Sequence, residues 1–411
     1  MERLVSLLGL ITMLAVAWLL SEHRRRISIR LVVSGLALQF GLAVLFLATP
    51  LHDSVFHYSG KFVEGLMHCS GEGAKFVFGS AFYSEEFKSA NGGPFFFATV
   101  LPMVIFFASL TAVLFHLGIL QLIVRLMARV MIWVMDVSGS ESLCTSANVF
   151  IGMTTAPLMV RPYLQTMTRS EVMAMMTGGM ATASGATLPA YVFMGADAGH
   201  LMVASLLSAP AALVIAKIMV PEREESPTKG IVKVEVKRPD ANLLDAACRG
   251  AGEGLKLSLN IAGMLIAFVA LIALINLLLT PTGWLLGQQP LTLQQILGWL
   301  GAPVAWLLGV PWQDAPEIGR LLGEKTVLNE FIAYGSLDQL QQDGEILQRS
   351  HTIATYALCG FANFGSIAIM IGGIGGLVPE RRKDYAKYGF RSLIGGSLAA
   401  FMTAAIAGIL I

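Results

Sequence analysis

The chain reads as an all-α polytopic membrane protein: eight transmembrane helices with two opposed re-entrant hairpins and two broken helices, arranged as an inverted repeat. Three observations predict this. First, 55% of the 411 residues are hydrophobic and 13% are charged, whereas soluble domains carry about 25% charged residues. Mean hydropathy is +0.68. Second, apolar stretches long enough to cross about 30 Å of hydrocarbon recur along the chain. Third, two polar islands interrupt them, Asn148-Val149-Phe150-Ile151-Gly152-Met153-Thr154-Thr155-Ala156-Pro157 and Lys325-Thr326-Val327-Leu328-Asn329-Glu330. A bilayer tolerates such interruptions only where they line a protein-enclosed cavity, which points to a solute site at mid-membrane.

The expected spans are 4–20, 31–49, 96–117, 171–195, 200–220, 254–279, 351–377 and 390–411. Residues 4–20 read as a retained span, because the basic cluster His23-Arg24-Arg25-Arg26 follows the apolar run and no small-residue cleavage site precedes it. Segments 54–69, 119–136 and 291–309 suit helices lying at the interface. Lys and Arg set the orientation. With the first span running inward, the cytoplasmic segments take most of the 28 positive residues, leaving Arg3, Lys61, Lys75, Lys88, Arg320, Lys325 and Arg349 outside. Lys233, Lys237 and Arg238 fall in a mixed-charge, proline-containing cytoplasmic linker. Both termini then face outward.

Hairpin 1 opens at a capping-box sequence, Ser138-Gly139-Ser140-Glu141, turns through Thr154-Thr155-Ala156-Pro157 and returns near Thr168. The span after it is expected to break at Gly178-Gly179 and at 181–185. Hairpin 2 is expected over 313–336, turning at Gly323-Glu324-Lys325-Thr326, with the next span broken at 360–366. One hairpin enters from each side of the membrane, as an inverted repeat requires.

Glu330 is the sharpest candidate. A carboxylate between Leu328 and Phe331 in a membrane-embedded arm costs several kcal/mol unless it is paired, hydrated or facing substrate. It accepts hydrogen bonds from hydroxyls, which suits a sugar. Asn363 and Ser366, three apart on one face beside Phe361, offer donors and acceptors at a helix break. They also suit the satisfaction of backbone groups freed by that break. Asn148, the Ile151 carbonyl, Thr182 and the Ala183 carbonyl supply hard oxygen ligands to a small cation. No carboxylate is among them, so such a site is weak and monovalent.

Several classes are excluded or weakened. A net charge of +1 offers no basic face for nucleic acid. Cys69, Cys144, Cys248 and Cys359 are scattered, without the spacing of a disulfide framework or zinc site. No HExxH, GxSxG or P-loop is present, which disfavours an intramembrane enzyme and an ATP-driven pump. No enzymatic cofactor is expected.

The string Gly-x-Thr-x-Ala-Pro-Leu at 152–158, Asn-Glu-Phe-Ile-Ala-Tyr at 329–334 and Cys-Gly-Phe-Ala-Asn-Phe-Gly-Ser-Ile at 359–367 resembles the concentrative nucleoside transporters, in particular bacterial members, over essentially the whole chain. The resemblance implies a homotrimer in the cell (inner) membrane, ion-coupled uptake of a nucleoside-like small molecule, and elevator-like alternating access. It divides the chain into scaffold-side residues 1–137, a first transport unit 138–220, a cytoplasmic linker 221–250, scaffold-side residues 251–312 and a second transport unit 313–411. It implies that Glu330, Asn363 and Ser366 bind ribose hydroxyls, with Phe361 beside them. It also implies that Asn148, Ile151, Thr182 and Ala183 hold sodium. The sequence departs from the family in hairpin 1. Sodium-coupled members read Gly-Gln-Thr-Glu-Ala-Pro, and here Met153 and Thr155 stand in place of the amide and the carboxylate that recognise the base, with Thr154 retained. Thr187 is a candidate to compensate, and Glu324 a new charge at the hairpin 2 tip. Losing a buried hydrogen-bond pair costs about 1–3 kcal/mol, up to roughly a hundredfold in affinity. The expectation is therefore sodium-coupled uptake of a ribosyl compound with altered base recognition. Proton coupling through Glu330, or a carrier or receptor for another small polar solute, is the alternative.

Overall fold

Backbone polar groups in lipid must be bonded within their own segment, and the computed structural model is helical, with no strand among its described residues. These are residues 2–84, 87, 95–230, 240–286 and 290–411. Lys88, Lys233, Lys237 and Arg238 lie outside them. The chain opens with α1 (Glu2–Leu19), α2 (Ile29–Leu47), α3 (Leu51–Phe78), α4 (Phe96–His116) and α5 (Ile119–Met135). The first hairpin and broken segment comprise α6 (Gly139–Ile151), α7 (Ala156–Met159), α8 (Arg169–Ala181) and α9 (Leu188–Phe193). There follow α10 (Ala198–Met219), α11 (Leu243–Leu279), α12 (Pro281–Leu286) and α13 (Leu293–Leu307). The second hairpin and broken segment comprise α14 (Ala315–Val327), α15 (Glu330–Gln342), α16 (Gln348–Leu358) and α17 (Phe364–Leu377), and α18 (Arg382–Leu410) closes the chain.

Among the described residues six unbroken helices are long and apolar enough to cross a bilayer: those containing α1, α2, α4, α10, α11 and α18. The two other expected spans, 171–195 and 351–377, are the interrupted segments α8/α9 and α16/α17. Arg3 donates to the Ile411 carbonyl oxygen at 2.9 Å, so the two termini lie at one end of the molecule.

Four expected boundaries move. The interfacial helix at 54–69 is part of the 28-residue α3. The linker 221–250 ends early, because Asn242 accepts a hydrogen bond from the Asp245 N–H and starts the 37-residue α11. Gly178-Gly179 does not break its helix: both are buried within α8, and the break falls at 182–187. Hairpin 2 turns at Leu328-Asn329 and not at 323–326, since the Asn329 side chain accepts from the Ile332 N–H at 3.1 Å and caps α15. Gly323 is therefore helical and packs against Leu297.

Without a hydrophobic drive between helices in lipid, small residues set the close approaches. α13 and α14 cross at Gly301 and Gly319, where a Cβ on Gly301 would meet the Gly319 carbonyl oxygen at 2.3 Å. α4 and α11 form a second pair, tied by Ser109 Oγ to the Ala247 carbonyl at 2.9 Å and Ser258 Oγ to the Leu101 carbonyl at 3.1 Å. Buried α10 and α18 form the centre. α1 and α2, expected on the scaffold side, pack against this centre. Gln39 on α2 donates to Thr403 on α18 at 3.0 Å. By contrast α11 leaves Ile266, Val269, Leu271, Leu274, Leu277 and Leu278 exposed.

Candidate functional site

Hairpin 1 starts from the expected capping box, in which the Ser138 side chain accepts from the Glu141 N–H while Glu141 accepts from the Ser138 N–H at 2.8 Å. Its base is ionic and buried. Glu141 pairs with Lys217 at 2.7 Å, and Glu171 accepts hydroxyls from Ser138, Ser140 and Ser226 at 2.5, 2.8 and 2.6 Å. The first arm ends at Gly152, whose φ of +79° only glycine adopts without strain, and the chain turns back through Met153, Thr154 and Thr155. The tip is fixed to the following break, since Gly185 donates to the Phe150 carbonyl at 3.0 Å.

Hairpin 2 delivers Glu330 as the first residue of α15, only 2% exposed. Its Oε1 accepts from the Tyr191 hydroxyl at 2.9 Å and its Oε2 from Asn363 Nδ2 at 3.0 Å. Asn363 Oδ1 in turn accepts from the Ser366 N–H at 2.8 Å, capping α17. One carboxylate thus joins hairpin 2 to both broken segments. Tyr191 stacks on Tyr334, with ring centroids 4.9 Å apart, and that ring's hydroxyl donates to the Thr355 carbonyl at 2.9 Å. The breaks also touch directly at Gly360, where φ is +114° and a Cβ would lie 2.5 Å from the Ala181 carbonyl oxygen.

A cavity of about 1120 Å³ opens between the hairpins. Met153, Thr154, Thr155, Thr187, Glu330, Phe361, Asn363 and Ser366 all line it, together with Ile151, Asn260, Asn329 and Phe331. It extends to Arg161, Gln165, Arg249, Lys256 and Glu380, on the side of the basic loops. Thr187 is fully buried and its hydroxyl donates to the Ser184 carbonyl at 3.0 Å. Glu324 is not a tip charge. It lies within α14, buried and paired with Arg320 at 2.8 Å, because the turn falls later than expected.

Asn148, Thr182 and Ala183 are buried behind the tip. Asn148 and Thr145 flank Gly178, whose carbonyl accepts from Thr182 Oγ1 at 2.8 Å. Asn148 Oδ1 has no hydrogen-bond partner. No cluster of three His, Cys, Asp or Glu suited to a metal is found among the described residues.

Sequence reasoning missed Tyr191. Its signal was a phenol in the short apolar helix after the first break, where a buried hydroxyl needs a partner. It placed Lys325 in a polar island, at the hairpin 2 turn and among the outside positive residues, and gave it no role. Lys325 is 1% exposed and donates to the carbonyls of Ala357 and Cys359 at 2.9 and 3.5 Å.

Opposed re-entrant hairpins and interrupted helices around a cavity that carries Glu330, Asn363 and Ser366 define a secondary transporter. The sequence matches three family descriptions in succession: "Na+ dependent nucleoside transporter N-terminus" over residues 8–81, "Nucleoside recognition" over 97–198 and "Na+ dependent nucleoside transporter C-terminus" over 200–408. The chain is 40% identical over its full length to the "Uncharacterized transporter YutK" of Bacillus subtilis, covering 100% of that protein. It is also 40% identical to the "Sodium/nucleoside cotransporter 1" of Rattus norvegicus, of which the chain covers 64%. The structure of CNTnw in an inward-facing substrate-bound state superposes with a TM-score of 0.94 at 39% identity, covering 100% of this chain and 98% of that one. An outward-facing CNTnw variant, with the same coverage and identity, gives 0.93. The chain belongs to the concentrative nucleoside transporter family and is a membrane transporter, not an enzyme.

Proposed function

We propose that the protein is a sodium-coupled importer of nucleosides or a related ribosyl compound, working by alternating access, with altered recognition of the base. The observation that carries this reading is the Glu330 carboxylate at the cavity wall, held by Tyr191 and Asn363. An oriented carboxylate beside Asn363 and Ser366 suits vicinal hydroxyls, as acceptor and donors respectively. Phe361 supplies an aromatic wall. Opposite them Met153, Thr154 and Thr155 present one thioether and two hydroxyls, so this side reads a base through fewer polar contacts than an amide and a carboxylate supply.

The donor set behind hairpin 1 fits a small monovalent cation. Asn148 Oδ1 is a buried acceptor without a donor, and the Ile151 and Ala183 carbonyls with Thr182 Oγ1 complete a neutral oxygen set. Sodium bound there supplies positive charge that holds the hairpin 1 arm against the α8 break. Residues Asn148, Ile151, Thr182 and Ala183 orient that contact, and substrate held by Glu330 and Asn363 favours the same closed arrangement. This shared preference couples the two affinities.

The moving unit combines residues 138–220 and 313–411. α1, α2 and α13 travel with it, since they pack on α18, α10 and α14, while α4 and α11 form the static pair. The exposed apolar row of α11 suits the lipid bilayer and the homotrimer contact implied by the resemblance. The cavity's extension to Arg161, Arg249 and Lys256 corresponds to the inward-open state, in a cell (inner) membrane.

The test is uptake of labelled nucleosides, ribose and nucleobases into proteoliposomes under imposed sodium or proton gradients. Sodium-driven ribosyl uptake lost in Glu330→Gln supports the reading. Uptake driven by a proton gradient alone replaces sodium with proton coupling, and normal uptake by Glu330→Gln overturns the assignment.

A further inference from the structure

The two hairpins are equivalent halves of an inverted repeat, and their first arms are each 13 residues long. In the last turn of each arm a polar side chain packs on the end of the following helix: Asn148 of hairpin 1 beside Gly178 in the last turn of α8, and Lys325 of hairpin 2 on the carbonyls that end α16. A helix that ends inside a membrane leaves carbonyl groups without intrahelical donors and carries the negative end of its dipole there. Both breaks present this end, α8 at Ala181 and α16 at Leu358.

The halves answer the same electrostatic need differently. Around the α8 break the protein offers acceptors: Asn148 Oδ1 and Thr145 Oγ1 are buried without partners. At the α16 break it offers an ammonium, with Lys325 Nζ at 2.9 Å from the Ala357 carbonyl and 3.5 Å from the Cys359 carbonyl. Lys325 is not a cavity-lining residue, so nothing in substrate binding accounts for it.

We propose that Lys325 is a tethered cation, occupying in the second repeat the place a mobile sodium ion takes in the first, and that it limits the transporter to one coupling ion. The inference rests on the sodium reading above. A fixed ammonium neutralises the α16 end whether or not sodium is present, so hairpin 2 stays docked on its break through a cation that cannot dissociate from the chain, and hairpin 1 through a dissociable ion. Lys325 is a positioning residue: it acts on substrate through the placement of α15 and Glu330, five residues on.

The test measures nucleoside binding and melting temperature of purified, nanodisc-embedded protein across sodium concentrations. Wild type is expected to follow a single-site sodium curve. Lys325→Asn, which gives the second repeat the acceptor of the first, is expected to steepen that curve towards two ions and shift its midpoint about tenfold upward. Lys325→Met, which removes the ammonium without adding an acceptor, is expected to melt lower at every sodium concentration and to gain no sodium response. A two-ion curve in wild type overturns the inference, as does a Lys325→Asn protein with the wild-type curve. If Lys325→Asn does not fold, the wild-type curve decides alone. A wild type indifferent to sodium overturns the sodium reading, and the tethered-cation inference then stands only on a sodium response gained by Lys325→Asn and falls without one.

Discussion

Hairpin 1 and hairpin 2 share a 13-residue first arm but distribute buried charge differently. Hairpin 1 is ionic at its base, where Glu141, Lys217, Glu171 and Glu222 meet, and neutral at its tip of Met153, Thr154 and Thr155. Hairpin 2 has one buried carboxylate at its base, Asp314, but also buried charges beside the turn, Lys325 just before it and Glu330 just after. Charge at a base far from substrate fixes an element, while charge beside a cavity is available for recognition. In the proposed function this difference corresponds to a sugar side on hairpin 2 and a base side on hairpin 1.

The largest expected effect separates the two tips. Glu330→Gln, measured as uptake into proteoliposomes, should fall by about a hundredfold or more, since it replaces one acceptor of two charge-assisted bonds with a donor, whereas Thr155→Val should cost less than about tenfold. Equal losses would erase the distinction. At the hairpin 1 base, Lys217→Met leaves Glu141 and Glu222 facing each other without a cation, and should cost about 3–5 kcal/mol of stability in thermal or denaturant melts. An unchanged melt would show that the base is not held by charge. The double substitution Met153→Gln with Thr155→Glu restores an amide and a carboxylate to the tip, and should tighten binding of ordinary nucleosides by up to about a hundredfold in calorimetry. No gain would place base recognition elsewhere.

Tyr191→Phe removes one of two donors to Glu330 while keeping the ring stack on Tyr334, so its expected cost in substrate affinity is about tenfold. The smallest effect lies outside both repeats. Hydrogen bonding to the Arg249 guanidinium holds the Asp240 carboxyl below the usual carboxylate range. Its folded value is depressed, so the stabilisation is present above the ordinary pKa of about 4 and fades as pH falls through the lowered value. With Arg249 partly exposed, Asp240→Asn should cost only about 0.5–1 kcal/mol at neutral pH, and nothing once Asp240 is protonated. A larger loss would mean that the linker anchor bears on the moving unit.

The sequence by itself determined the class of protein, the paired hairpins and the principal polar residues, because these follow from local rules. Hydropathy over a span, a Ser-x-x-Glu capping box and a carboxylate in apolar surroundings need no knowledge of distant residues. Tertiary structure decided what depends on partners. Hairpin 2 turns at Asn329 and not at the nearer Gly323, because an asparagine cap fixes the arm and Gly323 is needed where Leu297 crosses it. Gly178 and Gly179 read as a break but remain helical, since close packing against Thr145 and Met153 uses their missing side chains. Glu324 was a plausible tip charge until Arg320 claimed it. Tyr191 reaches Glu330 from 139 residues away, and Lys325 finds carbonyls 32 and 34 residues on. Such pairings are satisfied across the membrane interior, where an unpartnered polar group is too costly to leave, and only the folded arrangement names the partner.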